Sequence, residues 1–163
     1  MAGFANSKAN MGFLKQRYNQ NKAAGEKLVG AEFWMVIKGY ENLSILIRNA
    51  QIPERTREDV EDYAPGGAKF NQHGTYRNGG ETQVQCVETI EGQVLNTIKD
   101  LVYNKKYVNV EFYLASESKG GPAGSPACSM EDVKIYSDAV DFAAEDVTAL
   151  VRPSLRLVYN WLD

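Results

Sequence analysis

Two cysteines, one histidine and five prolines are spread over 163 residues, and no apolar run approaches membrane-spanning length. Each scarcity removes a class of function. Cys86 lies inside a strand-like alternation and Cys128 beside a Gly/Pro/Ser loop. The pair offers neither a disulfide framework nor a zinc-ligand spacing, so both are expected as free thiols. The one histidine, His73, sits in a polar stretch with no Ser or Cys nucleophile motif beside it. It reads as an exposed or hydrogen-bonded side chain rather than a base or a metal ligand. The patterns HExxH, GxSxG, GxxxxGKS/T and GxGxxG do not occur, and turns explain the glycine pairs at 66–67, 79–80 and 120–121. Enzyme chemistry, a metal and a cofactor are therefore not expected. A bilayer span needs about 20 apolar residues, and residues 1–27 lack the apolar stretch of a signal peptide. The expectation is a chain made in a cytosol and not inserted in a membrane.

What is present is 44% hydrophobic content, in a length that supports one packed domain. The net charge of -3 is unevenly placed. Residues 1–30 carry four Lys and one Arg against one Glu, residues 128–163 carry seven acids against three bases, and the segment between carries ten bases against thirteen acids. Opposite charge at the two ends suits contact between neighbouring copies, and it is also the ordinary scatter of a solvated surface. Tight DNA binding is disfavoured, because it calls for a basic chain.

Residues 1–30 are polar, basic and rich in Asn, Lys and Gly, and read as an extended arm, with Phe4, Phe13, Leu14, Arg17 and Tyr18 as its candidate contacts. Residues 31–163 form the domain. "AEFWMVIKGY" reads as a strand with Phe33, Met35 and Ile37 on one face. "NLSILIRNAQI" reads as a second strand, apolar on both faces and ended by Pro53, which has no backbone donor. "AKFNQHGTYR" and "ETQVQCVETI" flank Asn78-Gly79-Gly80, which predicts a hairpin around those three residues. Its first arm, with Asn71, Gln72, His73, Thr75 and Arg77, is too polar to gain much from being held in an isolated monomer. "EGQVLNTIKDLVYNKK" switches to helical spacing through Val94, Ile98, Leu101 and Val102, with Lys105 and Lys106 complementing the helix C-terminus. "YVNVEFYLA" alternates as a half-exposed strand. A flexible loop "SESKGGPAGSPA", then "SMEDVKIYSDAVDF", lead to a last strand "PSLRLVYNWLD" with Leu155, Leu157, Tyr159 and Trp161 on one face. The sum is α+β and mainly β: an antiparallel sandwich or barrel with one amphipathic helix.

The stretch "QIPERTREDVEDYAPGG" concentrates charge. Glu58-Asp59 and Glu61-Asp62 lack the alternate ligands and central Gly of a calcium loop, and Arg55 and Arg57 are placed to pair with them. An exposed connector is the simpler reading than an ion or glycosidase site. Tyr103, Tyr107, Phe112 and Tyr113 would stack on bases only beside a basic groove, for which Lys105 and Lys106 are the close cations. A small nucleic-acid-binding module is kept as an alternative.

The order of elements, a strand ending "RNAQIP", a charged excursion, "AKFNQHGTYRNGGETQVQCV", "EGQVLNTIKDLVYNK", another strand and a terminal "LRLVYNWLD", resembles the tail tube proteins of contractile-tailed bacteriophages over residues 32–163. The resemblance implies a β-sandwich or barrel subunit that closes into hexameric rings, which stack into the inner tail tube. Implied partners are further copies, the tail sheath protein, a tape-measure protein, baseplate and tail terminator proteins, and DNA in transient passage. The implied location is the virion, after assembly in the host bacterial cytoplasm. A baseplate tube initiator and the tube component of type VI secretion are similar variants. In such an assembly residues 53–77 would be the contact between subunits or rings. Candidates are Arg55 and Arg57 against acidic partners, the acids Glu58, Asp59, Glu61 and Asp62, then Tyr63, Asn71, His73, Tyr76 and Arg77.

Overall fold

A computed structural model describes residues 8–122 and 124–163. The chain divides after Ala31 into two compact units. In the first, Met11–Ala23 is a helix (α1), where the sequence reading has an extended arm. The segment contains neither proline nor a β-branched residue, and the Asn10 side chain accepts the Phe13 N–H at 3.0 Å as an N-cap. No apolar stripe marks it, and all its residues are exposed, so periodicity could not reveal it.

The second unit is built of strands β1 (Phe33–Ile37), β2 (Ile47–Ala50), β3 (Arg57–Tyr63), β4 (Lys69–Tyr76), β5 (Gly80–Cys86), β6 (Val108–Ser116), β7 (Gly121–Pro122), β8 (Cys128–Ser137), β9 (Ser154–Tyr159) and β10 (Trp161–Leu162), with one helix, α2 (Gln93–Tyr103). Eight strands form an antiparallel sheet in the order β1-β6-β8-β9-β5-β2, with β7 on β6 and β10 on β8. The fold is mainly β, as the alternation predicts, but the barrel is not closed: β1 and β2 end the path. β3 and β4 stand apart as a two-stranded sheet.

A bulge lets one long strand serve two neighbours. Val108 pairs with Val133 and Val110 with Met130, so β8 carries an extra residue between them. Asp132 adopts φ 51° there. Its N–H donates to the Asn109 side chain at 3.2 Å, and its C=O accepts from the Asn160 side chain at 2.7 Å. The bulge bends β8, whose first half pairs with β6 and β10 and whose second half pairs with β9. Asn160 also breaks the last strand, so Trp161 turns outward (43% exposed) while Leu162 is buried at 2%. That corrects the expected single face through Trp161. The chain end is nonetheless held, with the Asp163 N–H donating to Ser129 O at 2.8 Å.

Alternating residues of β1, β5, β6, β8 and β9, among them Met35, Val84, Val110, Met130, Leu155 and Leu157, make the core. α2 lays Val94, Ile98 and Leu101 into it, as its period predicts. The Glu88 carboxylate caps the helix by accepting the N–H groups of Val94 (3.1 Å) and Leu95 (2.8 Å).

Two sequence expectations yield to tertiary structure. Glu41–Leu46 is a 3-10 turn, and only Ile47–Ala50 of the apolar run is a strand. Leu43 and Leu46 are spaced three apart, which puts both on the core side of a three-residue turn and leaves Ile45 60% exposed. The predicted hairpin around Asn78-Gly79-Gly80 does not form: β4 pairs with β3, and β5 pairs with β9 and β2. Gly80 faces Tyr159 across the β5–β9 ladder, and a Cβ on it would lie 2.5 Å from the Tyr159 hydroxyl and 2.9 Å from Cζ. This glycine makes room for a buried ring instead of turning the chain. Gly80→Ala should therefore cost about 1–3 kcal/mol in urea unfolding. Gly79→Ala, whose Cβ would sit 3.4 Å from Tyr159 O, should stay within about 0.5 kcal/mol of the parent.

Candidate assembly interface

The charged connector becomes a hairpin arm. Ala64–Ala68 closes it, with the Gly67 N–H on Ala64 O at 3.0 Å and the Ala64 N–H on Ala68 O at 2.8 Å. Pro65 followed by Gly66 at φ 90° fits a type II turn. Asp59 pairs with His73, Val60 with Gln72, Glu61 with Asn71, Asp62 with Phe70 and Tyr63 with Lys69. Period two then puts Val60, Asp62, Phe70 and Gln72 on one face, and Asp59, Glu61, Tyr63, Lys69, Asn71 and His73 on the other. All ten are exposed, Val60 by 42% and Phe70 by 62%.

Local bonds shape this hairpin without giving it a core. Lys69 Nζ lies 2.7 Å from Glu61, and the Tyr63 hydroxyl donates to the same carboxylate at 3.3 Å. Arg77 grips Glu58 with two donors, at 2.6 and 3.2 Å, which holds the Glu58 carboxyl below its ordinary value and raises Arg77 further. Between Arg57 and Asp59 the register shifts by one residue. Gly74 sits in that bulge, where a Cβ would meet Glu58 O at 2.6 Å and Val60 Cγ2 at 3.0 Å. Only glycine fits.

The base is fastened to the C-terminus. Arg55 Nη2 donates to Ala127 O and Asp163 O, both at 3.0 Å, and the Tyr76 hydroxyl donates to Leu162 O at 2.7 Å. The Tyr76 ring meets Trp161 edge-on at 5.8 Å, with the Arg57 guanidinium 5.9 Å from its centre. Arg57 also donates to Gly74 O at 3.3 Å. Arg55, Arg57 and Tyr76 are thus engaged within the molecule, whereas Asp59, Glu61, Asp62, Tyr63, Asn71 and His73 lie along the projecting arms.

Of the candidate arm residues, Phe13, Leu14, Arg17 and Tyr18 lie exposed on α1, with Arg17 stacked 5.1 Å over Phe13 and bonded to Gln20 at 2.9 Å. Phe4 lies outside the described residues. Sequence reasoning passed over the Val60/Phe70 face, because two apolar residues among acids look like noise until the register aligns them. It also gave no structure to residues 143–152, within a stretch 138–153 that forms neither helix nor strand and leaves Phe142 (73%), Val147 (89%) and Leu150 (62%) exposed.

Among the described residues, no three His, Cys, Asp or Glu side chains are placed to hold a metal, and no helix is long and apolar enough to cross a membrane. Both cysteines are free and buried. Burial, with Glu88 nearby, pushes the Cys86 thiol up to about 12, and burial raises Cys128 as well.

No family model and no curated protein matches the sequence. The solved structures do match. A chain of an extracellular contractile injection system, the PVC sheath-tube complex in its extended state, superposes with a TM-score of 0.63 at 10% identity, over 88% of this chain and 95% of that one. The chain has the fold of contractile injection system tube components. A chain of the anti-feeding prophage cap, described as the AFP tube terminating cap, gives 0.62 at 10% identity over 100% of this chain and 97% of its own. A chain of the six-fold symmetrised AFP baseplate gives 0.58 at 11% identity, covering 85% and 95%. The tail-tube resemblance of the sequence therefore lives in the arrangement of elements more than in side chains, of which 10–11% are identical.

Two measurements check the site. The Glu58 carboxyl should titrate below the ordinary glutamate range by NMR, held down by the Arg77 hydrogen bond; its pairing with Arg77 is complete above that ordinary range and lost as pH falls through the folded value, and Arg77→Gln should return the midpoint toward the ordinary range. Gly74→Val should disorder residues 57–76 in amide spectra while the core keeps its urea midpoint.

Proposed function

We propose that this chain is a structural subunit of a contractile tail: copies close into hexameric rings, and the rings stack into the inner tube through which the genome is delivered. One observation carries the reading. The β3–β4 hairpin is exposed on both faces yet rigidly fastened at its base, and an isolated two-stranded ribbon in water is marginal. It gains most when a neighbour covers the Val60/Phe70 face, and identical neighbours arranged in a closed ring cover every copy equally. The open strands β1 and β2 add unpaired backbone for the same use. The six-fold symmetry of the AFP baseplate neighbour supports a ring of six.

Sheath, tape-measure, baseplate and terminator proteins are the remaining partners on this reading, and the particle tail is the location. The subunit is not an enzyme on this account and needs no cofactor. A net charge of -3 suits a conduit, since each cation paired with a phosphate adds salt-sensitive affinity that would slow sliding DNA.

A second reading has its own support: one of the matching structures is a tube terminating cap, and that match covers 100% of this chain. A subunit that ends or starts a tube forms one ring and no polymer. Electron microscopy of the concentrated protein separates the two. Tubes of varying length built from six-fold rings are expected, isolated rings would favour the tube-end role, and a monomer at every concentration would refute both. Asp62→Arg with Phe70→Asp should abolish assembly and leave the fold intact.

A further inference from the structure

A groove of about 300 Å³ opens between the end of α2 and the outer side of β8, lined by Val102, Lys105, Lys106, Tyr107, Lys134 and Tyr136 among others. Lys106 is paired with Asp100 at 2.8 Å. Among the described residues, Lys105 and Lys134 have no carboxylate partner. The groove is therefore a cationic, aromatic concavity, with volume for about ten waters or one aromatic side chain.

Lys105 occupies an unusual position. The Lys106 N–H donates to Leu101 O at 3.1 Å and the Lys105 N–H to Val102 O at 3.4 Å, the two bonds of a Schellman helix end. Its left-handed residue is ordinarily glycine, and here it is Lys105 at φ 51°. A lysine strained in this way costs the fold more than glycine would.

The same molecule carries the complement. Residues 137–151 contain Asp138, Asp141, Glu145 and Asp146 and no Lys, Arg or His. They form an irregular strap with Phe142, Val147 and Leu150 exposed. The strap's ends are pinned, the Asp138 N–H to Ser154 O at 3.1 Å and Val151 O to the Glu88 N–H at 3.0 Å, and none of its residues lines the groove. We propose that the 138–150 strap of one copy seats in the Lys105/Lys134 groove of the next, with Phe142 entering between Tyr107 and Tyr136 and the carboxylates meeting the lysines. The contact is heterologous, groove to strap, as a ring requires if its rotation closes. It rests on the ring-forming reading and assigns that assembly a second contact, separate from the hairpin. It also gives the acidic C-terminal third a use that net charge alone does not explain.

Charge reversal tests the pairing. Lys105→Glu with Lys134→Glu should raise the protein concentration needed for assembly by about tenfold or more, and Asp141→Lys with Glu145→Lys should do the same. Combining all four should return it to within about threefold of the parent, since the pairing is restored with its polarity inverted. Lysine variants that assemble like the parent, or a combined variant that folds without recovering, would overturn the proposal while leaving the ring reading standing; a parent protein that never assembles removes both. Lys105→Gly adds a control: it should raise the unfolding midpoint yet weaken assembly, whereas a lysine with no partner in the assembly would raise the midpoint and leave assembly unchanged. Lys105→Cys with Asp141→Cys should give, on oxidation of assembled material, a ladder of multiples of 18.1 kDa, the native thiols being buried. Cross-linking only within one chain would show the groove taking its own strap and would sink the idea.

Discussion

Three hydrogen bonds, from Arg55 to Ala127 O and Asp163 O and from Tyr76 to Leu162 O, turn a ribbon that could not stand alone into a fixed projection. The acceptors are backbone carbonyls at the end of β10 and just before β8, so the hairpin is referenced to the core. Net gains for such bonds are about 0.5–1.5 kcal/mol each, more for the charged donor. That is enough to orient the base, and too little to hold two fully exposed strands paired along their length. The arms remain exposed along their length.

The core explains why the projection can be carried at all. One bulge at Asp132, fixed by Asn109 and Asn160, lets β8 pair with β6 and β10 on one stretch and β9 on the next. β10 thereby reaches the place where Arg55 and Tyr76 find it. The sheet stays open, with β1 and β2 as its edge strands, and on the proposed reading a ring subunit can use those edges.

How much of this was legible in the sequence depended on the range of the interaction. Alternation in "YVNVEFYLA" and "PSLRLVYNWLD" and the 3.6 period of α2 are local signals tied to one core, and they located β6, β9 and α2. Turn chemistry located turns but not pairings. Pro65-Gly66-Gly67 and Asn78-Gly79-Gly80 look alike in isolation, and the choice fell to contacts up to 80 residues away, where Tyr159 needs the space a Gly80 side chain would fill. The charged residues of 55–77 lie on the β3–β4 hairpin and its base, and Arg55, read as reaching outward, instead turns to carbonyls 72 and 108 residues further along. α1 left no periodic trace, since none of its faces is buried.

On the proposed reading the hairpin is ordered by its base and completed by a neighbour. Amide hydrogen exchange across residues 57–76, compared between dilute monomer and assembled protein, tests that most directly. The account predicts fast exchange along the arms of the monomer, with protection confined to the base, and slowing of about a hundredfold or more on assembly. Arms as protected in the monomer as Val110 or Leu157 of the core, and unchanged on assembly, would contradict it.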